Sequence, residues 1–97
     1  MEVKIKAIHF DITDKLTGFI NKKVDKVARR YPDLQEVEVT LKVVKPETAM
    51  NKEAGVKISV PGADDLFASK TANSFEEALD LCLEGLEKQL EKLKGRR

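Results

Sequence analysis

The chain has 97 residues, 41% of them hydrophobic, and its 18 Lys and Arg nearly balance 17 Asp and Glu, for a formal net charge of +1. This length supports one domain around one core, spanning 1–97, and is too short for two domains that each bury a core of their own. No run of ~18 apolar residues exists to span a bilayer, the lone Cys82 rules out a disulfide framework, and the near-neutral total leaves room only for a locally basic surface.

The opening residues, MEVKIKAIHFD, alternate polar and apolar where a secretory signal would show a basic start and an apolar core, so the chain is expected to stay in the cytoplasm. From Glu2 to Phe10, Val3, Ile5 and Ala7 alternate with Glu2, Lys4, Lys6 and Ile8, the period of a half-buried strand. The period then changes. Thr13 offers an N-cap, Asp14 suits the positive end of a helix dipole, and Leu16, Ile20, Val24, Val27 and Tyr31 follow at helical spacing until Pro32 stops the helix. Gly18 inside it costs ~1 kcal/mol relative to alanine.

Val37, Val39, Leu41 and Val43 alternate with polar neighbours as a second strand. Lys45 to Glu53 contains Pro46 and no apolar period, and reads as a long, mobile hairpin loop. Val56, Ile58 and Val60 form a third strand, Pro61-Gly62 and Asp64-Asp65 mark a turn, and Leu66, Ala68 and Lys70 alternate with Phe67, Ser69 and Thr71 as a fourth. A last helix runs from Ser74 to Lys94 and stops at Gly95. Ser74 and Glu77 make a capping box, and Phe75, Leu79, Cys82, Leu86, Leu90 and Leu93 form its apolar stripe. The order β-α-β-β-β-α with one apolar face per element predicts a two-layer α+β fold, a four-stranded sheet with both helices packed on one face.

Projected at about 100° per residue, the first helix places Lys15, Lys22, Lys26 and Arg29 on one stripe, with Lys23 and Arg30 between that stripe and the apolar one. On the last helix the projection gives an acidic back of Glu76, Asp80, Glu84, Glu87 and Glu91, and a basic flank of Lys88, Lys92 and Arg96, with Gly85 beside it. Two helices side by side could present both basic flanks as one channel for a polyanion, bound through its phosphates and not by base sequence. The competing reading is a protein-interaction module that uses the open sheet face or the acidic back, with the lysines as a solvated face.

Other chemistry is sparse. His9 has no second ligand or dyad partner and reads as a strand-end polar residue, adjacent Asp64 and Asp65 serve a turn, and no phosphate loop or Cys/His cluster is present. Tyr31 and Phe67 are the only base-stacking candidates, Tyr31 reading better as core. No enzyme, no cofactor, no metal site and no small-molecule substrate is expected.

Taken together, the opening strand ending in DIT, the lysines Lys23 and Lys26, the VEVTLKV strand, the ASKTA strand end and the final EALDLCLEGLEKQLEKLK carry a likeness along nearly the whole length. The chain resembles the short ribosome hibernation-promoting factors and the ribosome-associated translation inhibitors. In the last helix the likeness runs through Ala78, Leu79, Asp80, Leu86, Lys88, Gln89, Leu90, Lys92 and Lys94. The resemblance implies binding to the 30S ribosomal subunit and 70S ribosome along 16S rRNA, in the channel used by messenger and transfer RNA. It also implies inhibition of translation in stationary or stressed bacteria, by a protein that is monomeric off the ribosome and does not engage membranes. By position it implies RNA contacts from Lys23, Lys26, Lys88, Lys92 and Lys94; the projection adds Lys22, Arg29, Arg30 and Arg96. Thr17 stands where relatives often have arginine, Gly85 where they often have lysine, Phe75 and Glu76 replace a Met-Tyr pair, and Lys88 replaces arginine, which holds phosphate with a planar fork that lysine lacks. The sequence shows neither the dimerisation domain of the long factors nor the acidic tail of the inhibitor, and is similar to the short form.

Overall fold

The computed structural model describes residues 2–44 and 51–95. Its elements are β1 (Glu2–Ile8), α1 (Asp14–Arg30), β2 (Glu36–Val43), β3 (Lys52–Ser59), β4 (Leu66–Ala72) and α2 (Phe75–Gly95). The strands lie in the order β1-β2-β3-β4, with β1 parallel to β2 and the other pairs antiparallel. Parallel neighbours need a crossover, and α1 supplies it. The fold is the expected two-layer α+β arrangement.

Alternation decides which sheet face meets the helices. Val37, Val39 and Leu41 of β2 and Ala54, Val56 and Ile58 of β3 are fully or almost fully buried on that face. Against them pack Ile20, Val24, Val27 and Tyr31 from α1 and Ala78, Leu79, Cys82, Leu83, Leu86 and Leu90 from α2. Each fully buried Leu or Ile contributes about 1.5–3 kcal/mol by leaving water. The two central strands are therefore the best anchored, while Val3 and Ile5 on edge strand β1 are only partly covered.

The helix ends follow their sequence signals. Thr13 has extended backbone and its hydroxyl accepts from the Leu16 N–H at 3.1 Å; Ser74 Oγ accepts from the Glu77 N–H at 3.1 Å. Such caps contribute ~1 kcal/mol each. Between β1 and α1, His9 adopts φ 62°, a left-handed conformation uncommon outside glycine. The chain then brings the Phe10 ring against Phe75 at the start of α2, stacked with centroids 5.0 Å apart.

One expectation fails in part. Lys52 and Glu53, read as loop, belong to β3 and pair in register with Val43 and Lys42. The Val44 N–H donates to the Asn51 carbonyl at 2.7 Å, so the β2 ladder recruits a segment with little strand propensity of its own. The rest of the expected loop, 45–50, lies outside the described residues. Within β3, Gly55 lies under the Phe67 ring, where an added Cβ would meet a ring carbon at 3.5 Å. Phe67, 61% exposed, thereby covers a glycine that would otherwise leave a gap in the strand.

Candidate nucleic-acid interface

The buried stripe Ile20, Val24 and Val27 holds one side of α1 against the core, and this turns Lys15, Lys22, Lys26 and Arg29 outward, all exposed. Arg29 is paired with Asp25 one turn earlier at 2.9 Å. Lys15, Lys22 and Lys26 form no ion pair among the described residues. This ridge is the basic surface of α1.

The other two candidates on α1 point elsewhere. Lys23 Nζ lies 3.4 Å from Asp80 and 5.4 Å from the centre of the Phe19 ring. Arg30 reaches Glu87 at 3.1 Å and lies over the Tyr31 ring. Next to them the Tyr31 hydroxyl donates to Glu91 at 2.5 Å. That hydrogen bond, then burial, pushes the Tyr31 phenol from 10.0 up to about 12.

Asp80, Glu87 and Glu91, three members of the acidic back, therefore form one side of a seam between the helices. The expectation that the two basic flanks merge into one channel also fails. The reason is placement: α2 packs on β3 and β4 while α1 lies beside it toward β1, so the flank of α2 that meets α1 is the acidic one. Exposed pairs of this kind contribute only ~0.2–1 kcal/mol each. Their larger effect is to hold Lys23 and Arg30 against α2.

The opposite flank of α2 is differently built. Lys88 and Lys92 are exposed, and neither forms an ion pair among the described residues. Leu81, two turns before Lys88, is 39% exposed. Between them Gly85 has nothing within 4 Å of the position a Cβ would take. The Lys94 side chain and Arg96 lie outside the described residues. The open sheet face offers less charge, because Lys4 pairs with Glu36 at 3.4 Å, Lys6 with Glu38 at 3.8 Å and Lys57 with Asp65 at 4.0 Å. The Glu36 carboxylate holds the Lys4 ammonium above its usual pKa.

The sequence profile of the family described as sigma 54 modulation protein / S30EA ribosomal protein matches residues 3–97. The chain belongs to this family. A ribosome hibernation promoting factor of Azotobacter vinelandii is 27% identical over 94 residues, covering 97% of this chain and 83% of its own length. Among solved structures, a ribosomal subunit interface protein from Coxiella burnetii superposes with a TM-score of 0.86 at 20% identity, covering 98% of this chain and 99% of that one. The N-terminal domain of Thermus thermophilus Protein Y gives 0.80 at 21% identity, covering 96% and 99%. At these identities the two structures bear on the fold, which is the same two-layer arrangement.

The S30EA family is non-enzymatic. In this S30EA chain, Cys82 is fully buried and its thiol donates to the Ala54 carbonyl at 3.1 Å, and burial pushes its pKa up. Among the described residues no group of three metal-ligating side chains occurs and no helix is long and apolar enough to cross a membrane. Two features of the seam escape the sequence reading: the Tyr31 phenol as a hydrogen-bond donor to α2, and Leu83, buried near α1 at an angle where the stripe was drawn too narrow.

Proposed function

We propose that this chain is a ribosome hibernation factor. It acts as one domain that binds the 30S subunit, free or within the 70S ribosome, against 16S rRNA in the mRNA/tRNA channel near the decoding site. There it inhibits translation in stationary phase or stress by steric exclusion. Membership of the S30EA family and the names of its relatives support the ribosome as partner. The observation that carries the RNA reading is local. Lys22 and Lys26 on α1 and Lys88 and Lys92 on α2 are exposed and form no ion pair among the described residues, whereas Lys23, Arg29 and Arg30 are each held by a carboxylate of the chain.

Such lysines neutralise phosphates and release counterions, so four contacts give a slope of log affinity against log salt of about −3 to −4. Lys94 and Arg96 continue the α2 flank in sequence and join the contact set. Lys23, Arg29 and Arg30 reach RNA only by exchanging their internal carboxylate partners. The protein works in the cytoplasm, is monomeric off the ribosome, and takes no cofactor or small-molecule substrate. The alternative, a protein-interaction module, relies on the open sheet face and the acidic flank, and both are largely taken up by internal pairs. Sedimentation with purified 30S subunits and 70S ribosomes at low salt tests the proposal: co-migration with both is expected, and a protein that stays at the top of the gradient overturns it.

A further inference from the structure

Phe67 is the most exposed large apolar residue among those described, with 61% of its surface in solvent. Alternation along β4 puts it on the open face of the sheet, away from the helices. Gly55 of β3 fixes how the ring lies. With no side chain there, the ring carbons Cζ and Cε2 settle 3.5 and 3.6 Å from where a Cβ would stand. The ring therefore leans inward over β3 instead of swinging free at the edge of the sheet, and most of it stays uncovered.

Its neighbours on this face are polar. Lys57 is its register partner and is held by Asp65 at 4.0 Å, Thr40 and Ser69 flank Gly55 on either side, and Ser69 Oγ donates to Glu53 at 3.0 Å. A protein partner is held by a contiguous apolar patch of roughly several hundred Å². One ring bordered by hydroxyls and charges is not such a patch. A nucleobase has the matching form, a flat apolar face with a rim of hydrogen-bond donors and acceptors.

We infer that Phe67, laid on Gly55, is a stacking platform for one unpaired RNA base, with the side chains of Lys57, Thr40 and Ser69 around the rim of that base. The inference rests on the RNA-binding reading and gives it a second side. Both helices cover one face of the sheet, so their lysines and Phe67 lie on opposite layers of the fold, and a protein lodged in an RNA channel meets its wall with both. The two sides bind by different physics. Lysines release counterions from phosphates, and their contribution falls with salt. On the sheet face Lys4, Lys6 and Lys57 are already matched by Glu36, Glu38 and Asp65. Stacking on Phe67 releases no counterions, so its contribution persists when salt is raised.

Titration of purified 30S subunits with the full chain, repeated across salt concentrations, tests this. Phe67→Ala should weaken binding about tenfold and leave the salt slope unchanged. Phe67→Trp, with a larger ring, should bind at least as tightly as the parent. Phe67→Leu keeps an apolar cover on Gly55 but has no flat face, and should bind as weakly as Phe67→Ala. Phe67→p-benzoylphenylalanine should crosslink to 16S rRNA on irradiation. If Phe67→Leu binds like the parent, or the crosslink goes only to a ribosomal protein, the platform is overturned. It is overturned as well if Phe67→Ala binds like the parent while the double variant Lys88→Glu, Lys92→Glu loses binding, and the RNA reading then stands. If the double variant binds like the parent and no crosslink to RNA forms, the RNA reading falls and takes the platform with it.

Discussion

On the flank of α2 turned toward α1, Asp80 and Glu87 each meet a cation and Glu91 accepts a phenol hydrogen. On the other flank, Lys88 and Lys92 meet no counter-charge among the described residues. One helix thus carries a charged surface satisfied within the protein and another left for something outside it. The difference teaches that charge content alone does not locate a binding surface. What matters is which charges the neighbouring element has already engaged.

The comparison breaks if the open flank proves inert. Hydrogen bonds to charged groups contribute about 1.5–3 kcal/mol each, so Lys88→Glu with Lys92→Glu should weaken 30S binding at least about a hundredfold and reduce the salt slope by about two. The melting temperature should hold, since both side chains are exposed and unpaired. Filter binding beside a thermal melt checks both. Undiminished affinity would move the contact off this flank.

Tyr31→Phe tests the closed flank at its strongest point and should destabilise the fold by about 1.5 kcal/mol, read from urea unfolding. The same bond sets a pH dependence. The folded protein holds the phenol proton up to about 12, the unfolded chain releases it near 10.0. Between these values the native state binds more protons, so stability is complete below pH 10 and falls as pH rises toward 12. Melting temperatures across that window should show the loss, and Tyr31→Phe should remove this component. Smaller still is the effect of Asp80→Asn with Glu87→Gln, which should lower stability by no more than ~1 kcal/mol per pair. Releasing Lys23 and Arg30 should at the same time raise 30S affinity several-fold at low salt; unchanged affinity would show that these two cations do not reach RNA even when released.

Most of the architecture was legible because each element repeats its own period. Val37, Val39 and Leu41 announce a strand, and Ile20, Val24 and Val27 a helix, without reference to anything else. The start of β3 was not legible, since Lys52, Glu53, Ala54 and Gly55 have low strand propensity and are ordered by the ladder that β2 offers. The ridge of Lys22 and Lys26 and the flank of Lys88 and Lys92 could be drawn on a helical wheel. A wheel gives the angle of a side chain but not what lies at that angle, so it did not show Asp80, Glu87 and Glu91 meeting α1, and Lys23 and Arg30 looked available.

Cys82 gives the molecule its own clock. Its thiol is sealed between α2 and β3, and burial keeps it protonated, so a thiol reagent reacts with it only when that helix lifts from the sheet. The labelling rate in the absence of any ligand therefore reads out how often the layers part. A ribosome that clamps α2 should slow that rate, and one that engages α1 alone should leave it as it was.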